Sequence, residues 1–314
     1  MIVTITPNPS LDRTYELAAL APGEVNRAAH DRLDPGGKGV NVSRALAAAG
    51  HRTRAVLPLG GFSGQLLREL LRRQGIEVAP VAIDGDTRIN VSVAEAHGRL
   101  TKINAVGPEL SAAESAALLS LVREDCQGNG AGWLACCGSL PRGLAPEWYA
   151  ELVAQVHSGG ARIAVDTSGP ALLAALGARP DVVKPNREEL AEAVGRPLLT
   201  VGDALEAAQE LRERGARQVL TSLGAAGMLL VAEEGRWYGS APVAVVRSDV
   251  GAGDASLAGF LGAGGTGPEA LAAAVAHGAA AVRLPGSVMP APADLDPAAV
   301  VVTADIPWER PLCG

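Results

Sequence analysis

A glycine-rich turn at residues 248–261, SDVGAGDASLAGFL, combines a carboxylate with several backbone N–H groups. Gly251 and Gly253 permit a tight turn and leave the amides of residues 251–254 uncovered, and the apolar spacing that follows predicts a helix. Such a turn can bind an anion, and Asp254 beside it can accept a proton from a hydroxyl during phosphoryl transfer. The alternative is that Asp254 only caps the helix. The apolar run at 243–246 is predicted to be the strand before the turn.

Other polar turns also follow apolar runs along the chain. In a parallel α/β sheet, ligands bind at the carboxyl ends of the strands, so these turns are predicted to share one edge with Asp254. Each turn alone is explained by ordinary helix capping, but their number favours a binding site. They are GGKGVN (36–41), GSLPRG (138–143), DTSG (166–169), KPNREEL (184–190) and SLGAAG (222–227).

Alternating strand and helix patterns predict a three-layer, doubly wound α/β fold with a mostly parallel sheet. Four strand-like runs at 11–20, 25–33, 87–95 and 99–105 interrupt this alternation. We expect a core of residues 1–10, 36–85 and 106–314, and a small β-sheet lid formed by 11–35 and 86–105. A lid of this kind has an exposed face, which predicts a homodimer through it. Residues 290–314 are expected to be irregular.

Composition narrows the function classes. The chain has 314 residues and a net charge of −7, which argues against nucleic acid or a membrane surface as partner. No apolar run approaches a membrane span, and MIVTITPNPS lacks the features of a signal peptide, so we expect a cytoplasmic protein. The four cysteines, Cys126, Cys136, Cys137 and Cys313, have no metal-binding spacing, and reduced, unpaired thiols are expected.

Two common nucleotide-binding motifs are missing from the sequence. No stretch matches the P-loop pattern, because Lys38 is followed by Gly39 and not by a hydroxyl residue. The GAGDAS segment comes too late in the chain for a dinucleotide-binding turn and has Ser256 in the third glycine position.

The two glycine turns together resemble the ribokinase-like (PfkB) family of carbohydrate kinases. GGKGVN is similar to the N-terminal signature of that family, and SDVGAGDASLAGF to its C-terminal signature. The resemblance extends from Ile2 to about Gly286. NPSLD, DTRINVSV, GSLPRG, VKPNREEL and SLGAAG are similar to the branch of the family that phosphorylates sugar phosphates.

This resemblance implies a role for each matching residue. Asp254 would be the catalytic base, and the amides of Gly251, Ala252 and Gly253 would form the anion hole. Asp12, Gly37 and Asn41 would bind sugar hydroxyls. The phosphate already on the sugar would be held by Lys38, Arg88, Asn90, Ser139 and Arg142.

The resemblance also implies that ATP and Mg²⁺ take part. Asn186 and Glu189 would organise Mg²⁺ through water. The nucleotide would be bound by Lys184, Asn186, Ser222, Gly224, Gly227, Pro242 and His277, with Pro242 and His277 near the adenine.

The expected activity is ATP-dependent phosphorylation of fructose 1-phosphate to fructose 1,6-bisphosphate. TRINV at 87–91 favours this acceptor, whereas KINAVGPEL favours tagatose 6-phosphate, and fructose 6-phosphate is a further alternative. Lys38, Arg88 and Arg142 argue against an unphosphorylated sugar or nucleoside, which would leave these cations unpaired. An alternative of a different class is a nucleotide- or sugar-binding protein without catalysis. Asp254, Asn186 and Glu189 are all present, which favours the enzyme.

Overall fold

The computed structural model describes residues 1–128, 130–157 and 159–312, which form a ten-stranded sheet and a separate four-stranded sheet. The strands are β1 (Ile2–Ile5), β2 (Ser10–Leu17), β3 (His30–Gly36), β4 (Thr53–Leu59), β5 (Glu77–Ala82), β6 (Arg88–Glu95), β7 (Leu100–Ile103), β8 (Trp133–Cys137), β9 (Arg162–Asp166), β10 (Val182–Val183), β11 (Gln218–Ser222), β12 (Met228–Val231), β13 (Arg236–Ser240) and β14 (Val301–Thr303). The helices are α1 (Lys38–Ala48), α2 (Gly61–Arg73), α3 (Ala112–Gly128), α4 (Trp148–His157), α5 (Gly169–Leu176), α6 (Arg187–Val194), α7 (Val201–Glu213), α8 (Ala252–Gly262) and α9 (Gly267–Ala281).

The large sheet has the order β14-β13-β12-β11-β10-β9-β8-β1-β4-β5. The strands from β11 to β5 in this order pair in parallel, and β12, β13 and β14 extend the sheet by antiparallel pairing. Parallel strands need crossover connections, so their carboxyl ends all lie on one edge. This arrangement places the polar turns after β8, β9, β10 and β11 on a common edge, whereas GGKGVN follows β3 of the small sheet and the α8 turn directly follows no strand of the described chain.

Helices cover both faces of the large sheet. Successive side chains of a strand point to opposite faces. On β8, Leu134 and Cys136 pack with residues of α3 to α7, whereas Ala135 and Cys137 pack with residues of α1, α8 and α9. The predicted three-layer, doubly wound fold is therefore confirmed.

The small sheet has the order β3-β2-β6-β7. β2 pairs antiparallel with β3 and parallel with β6, and β6 and β7 form an antiparallel hairpin. Two excursions of the chain thus combine into one sheet, which we call the lid sheet. β7 lies at its edge.

One predicted strand is wrong. Residues 243–246 form no strand, and Val245 and Val246 expose 63% and 65% of their surface. The edge of β13 that such a strand would extend is already paired with β14, for example Tyr238 opposite Thr303. The C-terminal segment, which was expected to be irregular, therefore closes this edge of the sheet.

α6 begins within the KPNREEL segment, at Arg187. The sequence left two interpretations of this segment open, an ordinary helix cap and a metal-organising pair. Its Asn186 accepts a hydrogen bond from the Glu189 N–H, and the Glu189 carboxylate accepts one from the Asn186 N–H. The same spacing that suggested metal binding is a capping box.

Three cysteines, Cys126, Cys136 and Cys137, are buried and unpaired, whereas Cys313 lies outside the described residues. Among the helices that the structure describes, none is long and apolar enough to span a membrane.

Candidate active site

The first turn of α8 presents free backbone donors. Gly251 is the N-cap with a φ of 78°, and a Cβ there would lie 2.7 Å from Cε of Met289, so both the turn and the close approach require glycine. The Ala252 N–H donates to the Asp249 carbonyl at 3.3 Å. Within the described part of the chain, the N–H groups of Gly253 and Asp254 have no acceptor. These two donors and the helix dipole are suited to an anion.

Asp254 is the third residue of α8, so the predicted N-cap role is wrong; Gly251 caps the helix. The carboxylate is 8% exposed, and its Oδ2 accepts a hydrogen bond from Nδ2 of Asn41 at 2.8 Å. Burial, and then the charge of Asp166, raise the pKa of Asp254 to about 6. Its pKa thus approaches the operating pH of a general base.

Asn41 is oriented from the other side by Arg44. Nη1 of Arg44 donates to Oδ1 of Asn41 at 3.2 Å, which turns the Asn41 amide nitrogen toward Asp254. Both residues lie on α1, which packs against α8. The GGKGVN turn therefore supports the base directly, where the resemblance had assigned Asn41 to sugar hydroxyls.

The half-buried Lys38 and the buried Lys184 meet at Asp166, the last residue of β9. Nζ of Lys38 lies 2.7 Å from Oδ1 of Asp166 and 3.0 Å from Oε1 of Glu189. Nζ of Lys184 lies 2.9 Å from Oδ2 of Asp166. Burial alone would lower the pKa of Lys38, but the two carboxylates outweigh it and raise that pKa well above its ordinary value. Lys38 is thus a fixed positive charge.

Lys184 connects this network to the α8 turn. A Cβ built on Gly253 would lie 3.3 Å from Nζ of Lys184. The ammonium group therefore lies beside the free N–H groups of Gly253 and Asp254. A phosphoryl group bound by these amides would be within reach of a positive charge.

On the lid sheet, Asp12 and Asn90 form a second polar cluster. Oδ1 of Asp12 accepts hydrogen bonds from Oγ of Ser10 at 2.7 Å and from Nδ2 of Asn90 at 2.9 Å. A Cβ on Gly36 would clash with the Asp12 carboxylate, so only glycine fits beside this carboxylate as it is placed. Both side chains are held in defined positions at the junction of lid sheet and core.

Arg88 links two chain segments where the lid sheet meets the large sheet. Nη1 donates to the carbonyl of Ala105 and Nη2 to that of Asn8, while the buried Nε has no partner among the described residues. Burial lowers the pKa of Arg88. Two of its donor groups are thus used in holding chain segments together, and its assignment to a phosphate stays a prediction.

The other residues predicted to bind the sugar phosphate are Ser139, Arg142 and Gly37. Ser139 and Arg142 are exposed, and the Arg142 guanidinium has no partner in the described part of the chain. Gly37 begins α1 as its N-cap with a φ of 113°. A Cβ on Gly37 would lie 2.8 Å from Cγ2 of Thr6, so the turn is closely packed.

The predicted nucleotide residues lie in several different environments. Ser222 bridges to Asn186 at the ends of neighbouring strands, and Gly224 faces open space. His277 is buried between α8 and α9, where Nδ1 donates to the Ala273 carbonyl and burial lowers its pKa. The adenine position therefore stays a prediction. Two further positions are Gly227, with a φ of 104°, and Pro242, which is exposed.

Two residues of the site, Asp166 and Arg44, were given no role on the basis of the sequence motifs. A signal for Asp166 was available, because DTSG follows a buried strand on the predicted edge. Arg44 carried no comparable signal. It is recognisable only through its contact with Asn41 and its burial beneath the α1 turn.

The sequence of the chain that carries this site matches a known family. Residues 6–294 match the description "pfkB family carbohydrate kinase". The chain belongs to this family. The chain is similar to the 1-phosphofructokinase of Rhodobacter capsulatus, which is 40% identical over 83% of this chain and 82% of its own length. The 1-phosphofructokinase of Haloferax volcanii is 40% identical over 84% of both chains.

Solved structures agree with the pfkB assignment. Phosphofructokinase-2 from Escherichia coli in complex with potassium superposes with a TM-score of 0.88 at 34% identity, covering 93% of this chain and 96% of the other. The same enzyme in complex with fructose-6-phosphate gives a TM-score of 0.84 at 35% identity, covering 91% and 95%. The pfkB assignment makes the protein an ATP-dependent sugar kinase, as the two glycine turns suggested.

Proposed function

We propose that this protein transfers the γ-phosphoryl group of ATP to the free hydroxyl of fructose 1-phosphate, giving fructose 1,6-bisphosphate and ADP. One observation carries the proposal: Asp254, a buried carboxylate with a raised pKa, lies beside free N–H groups and the Lys184 ammonium. The 40% identity to two proteins named 1-phosphofructokinase supports this acceptor.

Each group of the site has a step in this reaction. Asp254 takes the proton of the acceptor hydroxyl as its oxygen bonds to the γ-phosphorus and the bond to the ADP oxygen breaks. The amides of Gly253 and Asp254 and the Lys184 ammonium stabilise the negative charge on the transferring group. Holding the reactants in line can contribute about 7 to 11 kcal/mol, and general-base catalysis roughly 10² to 10⁴ in rate.

The residues present fit a Mg²⁺ ion that arrives with the nucleotide. No group of three or more His, Cys, Asp or Glu side chains in the described residues could hold a metal ion, which argues against an all-protein cage. Mg²⁺ commonly keeps several waters and binds through substrate phosphates and one or two carboxylates. Glu189, with Asn186 beside it, would contact such waters, and the ion would neutralise phosphate charge.

Two cationic groups without a partner among the described residues of the protein favour an acceptor that already carries a phosphate. The Arg142 guanidinium has no partner, and Nε of Arg88 is buried without an acceptor, in the part of the chain that the structure describes. A buried donor without an acceptor costs about 1–3 kcal/mol, which a phosphate oxygen would offset. Asp12 and Asn90 would then bind the sugar hydroxyls.

The lid sheet is the proposed cover of this site and the proposed dimer interface. Residues 11–35 and 86–105 would move as one unit over the core and exclude water, which protects ATP from hydrolysis. Ile89, Leu100 and Ile103 are exposed on this sheet, and Ile103 is 62% exposed on the edge strand β7. A homodimer through the lid would cover them. Sedimentation velocity would detect it.

The acceptor is tested by comparing kcat/KM for fructose 1-phosphate, tagatose 6-phosphate, fructose 6-phosphate, ribose and adenosine. Fructose 1-phosphate is expected to give the highest value in this cytoplasmic enzyme. Fructose 6-phosphate is included because it is bound in the phosphofructokinase-2 structure. A preference for ribose or adenosine would contradict a phosphosugar kinase, and tight nucleotide binding without turnover would favour a non-catalytic protein.

A further inference from the structure

Asp166 is fully buried, yet it contacts both lysines of the site. Oδ1 lies 2.7 Å from Nζ of Lys38, and Oδ2 lies 2.9 Å from Nζ of Lys184. Lys38 belongs to the first turn of α1, whereas Lys184 follows β10. One carboxylate at the end of β9 therefore joins two other turns of the phosphate-facing edge.

The two contacts of Asp166 differ in geometry. Lys38 donates a hydrogen bond to Oδ1, but Oδ2 has no well-aligned hydrogen bond despite the short distance to Lys184. The Lys184 contact is thus a close ion pair of 2.9 Å. Nζ of Lys184 lies next to Gly253 in the α8 turn, where two N–H groups are free.

We propose that Asp166 is a positioning residue for phosphoryl transfer, which fixes the Lys38 ammonium group in the site and holds the Lys184 ammonium group beside the α8 turn, toward the transferring phosphoryl group. This inference rests on the proposed function. Asp166 contacts neither the acceptor nor the nucleotide and acts through the lysines. It also holds the half-buried Lys38 and the buried Lys184 in place while no anion is bound.

Charge balance indicates how loss of this carboxylate would affect the enzyme. Lys38, Lys184, Asp166 and Glu189 carry no net charge together. Removing one negative charge leaves the attraction for ATP intact or stronger, but the ammonium groups lose their fixed positions. Interactions that act only in the transition state affect kcat, whereas ground-state attraction affects nucleotide affinity.

The test is Asp166→Asn, with Asp181→Asn as matched control. Asp181 is also buried and paired with cations, but it lies at the other end of β10 and outside the site. For Asp166→Asn we expect kcat to fall by at least about 10-fold, while the Kd of the non-hydrolysable ATP analogue AMP-PNP, with Mg²⁺, weakens by no more than about 2-fold. Asp181→Asn should keep both values within about 2-fold of wild type.

A double-mutant cycle separates positioning from general damage. If Asp166 acts through Lys184, the effects of Asp166→Asn and Lys184→Met on kcat are not additive, and the double variant is no slower than the slower single variant. The double variant also removes a charge pair together, so it remains testable if Asp166→Asn alone fails to fold.

Three results would overturn the proposal: a kcat within about 2-fold of wild type in Asp166→Asn, AMP-PNP affinity that weakens in step with kcat, or additive effects in the cycle. Failure of the proposed function looks different. In that case wild-type protein turns over none of the acceptors, while its AMP-PNP affinity is still measurable and still reports on Asp166.

Discussion

Asp166 and Asp181 are buried carboxylates at opposite ends of the neighbouring parallel strands β9 and β10. Both contact two basic side chains. Both oxygens of Asp181 are partnered: Oδ2 accepts from the Ile163 N–H at 2.7 Å and lies 3.2 Å from Nε2 of His157, and Oδ1 lies 3.2 Å from Nη1 of Arg217. Asp166 instead has one oxygen without an aligned hydrogen bond, and its charge raises the pKa of Asp254. Burial and ion pairing alone therefore do not identify a functional carboxylate.

The surroundings of the two carboxylates explain this difference. Asp166 lies at the edge where α1, α6 and α8 begin, so helix N-termini with free N–H groups face the site. Asp181 lies at the edge where α5 and α7 end. A cavity of about 830 Å³ opens there, lined by Arg162, Arg179, Arg212, Arg214 and Arg217 among others. Arginines near helix C-termini interact favourably with the dipole, so this large cavity has a structural explanation.

The largest expected effect comes from the base at the Asp166 edge. Asp254→Asn should lower kcat by at least about 10², because no other group takes the hydroxyl proton, while nucleotide binding is retained. Steady-state kinetics and AMP-PNP titration measure both. Asp249→Asn is the control, since Asp249 is exposed in the preceding loop and should change kcat less than about 2-fold. Near-normal turnover in Asp254→Asn would remove this residue from its assigned role.

Replacing a buried carboxylate should change the free energy of unfolding in opposite directions at the two edges of the sheet. The pKa of Asp254 is raised from 3.8 to about 6, so the native state holds the proton more tightly. The free energy of unfolding therefore falls as pH rises from about 4 to 6, and above pH 6 the full cost is about 3 kcal/mol. Asp254→Asn should remove this cost, so its stability gain reaches up to about 3 kcal/mol at pH 7.5 and shrinks near pH 4.

Asp181→Asn should instead destabilise the fold by about 1–3 kcal/mol, because it breaks the contacts with His157 and Arg217. Urea unfolding of both variants at pH 7.5 and of Asp254→Asn at pH 4 provides the comparison. If both substitutions changed the free energy of unfolding in the same direction at pH 7.5, the distinction between a functional and a structural carboxylate would be contradicted.

The smallest effect is a shift in pH dependence. Asp254 must be ionised to act as a base, so kcat/KM should fall as pH decreases through about 6. Among the groups that act on its pKa, Asp166 raises it, and the Asn41 hydrogen bond and the charges of Lys184 and Lys38 lower it. Asp166→Asn removes the like charge. The fall of kcat/KM on the acidic side of the pH profile, here called the acid limb, should therefore move to lower pH.

Asp181→Asn is the control for this shift and should leave the limb in place. Sugar phosphates titrate near pH 6 themselves, so the difference between the variants is the measurement that counts. An acid limb that is the same in wild type and Asp166→Asn would show that Asp166 does not influence the base.

Much of the fold could be predicted because its signals are local. Apolar runs followed by glycine or polar turns indicated where β8 and β9 end, and two excursions predicted the lid sheet. The prediction at 243–246 failed because strand formation needs a free neighbouring edge, and β14 occupies that edge. Glu189 and Asn186 show a different limit, because one N-x-x-E spacing serves both a capping box and the proposed metal contact.

The sequence by itself determined where the backbone turns, which segments are buried and which polar residues end the strands, since torsion preferences and hydrophobic periodicity act over a few residues. Only the tertiary structure decided which charges meet. Lys38 and Asp166 are 128 residues apart, and Asn41 and Asp254 are 213 apart. Their contacts depend on the order of strands in the sheet and the packing of α1 on α8. Burial then raises the pKa of Asp254, because removing a carboxylate from water disfavours its charged form.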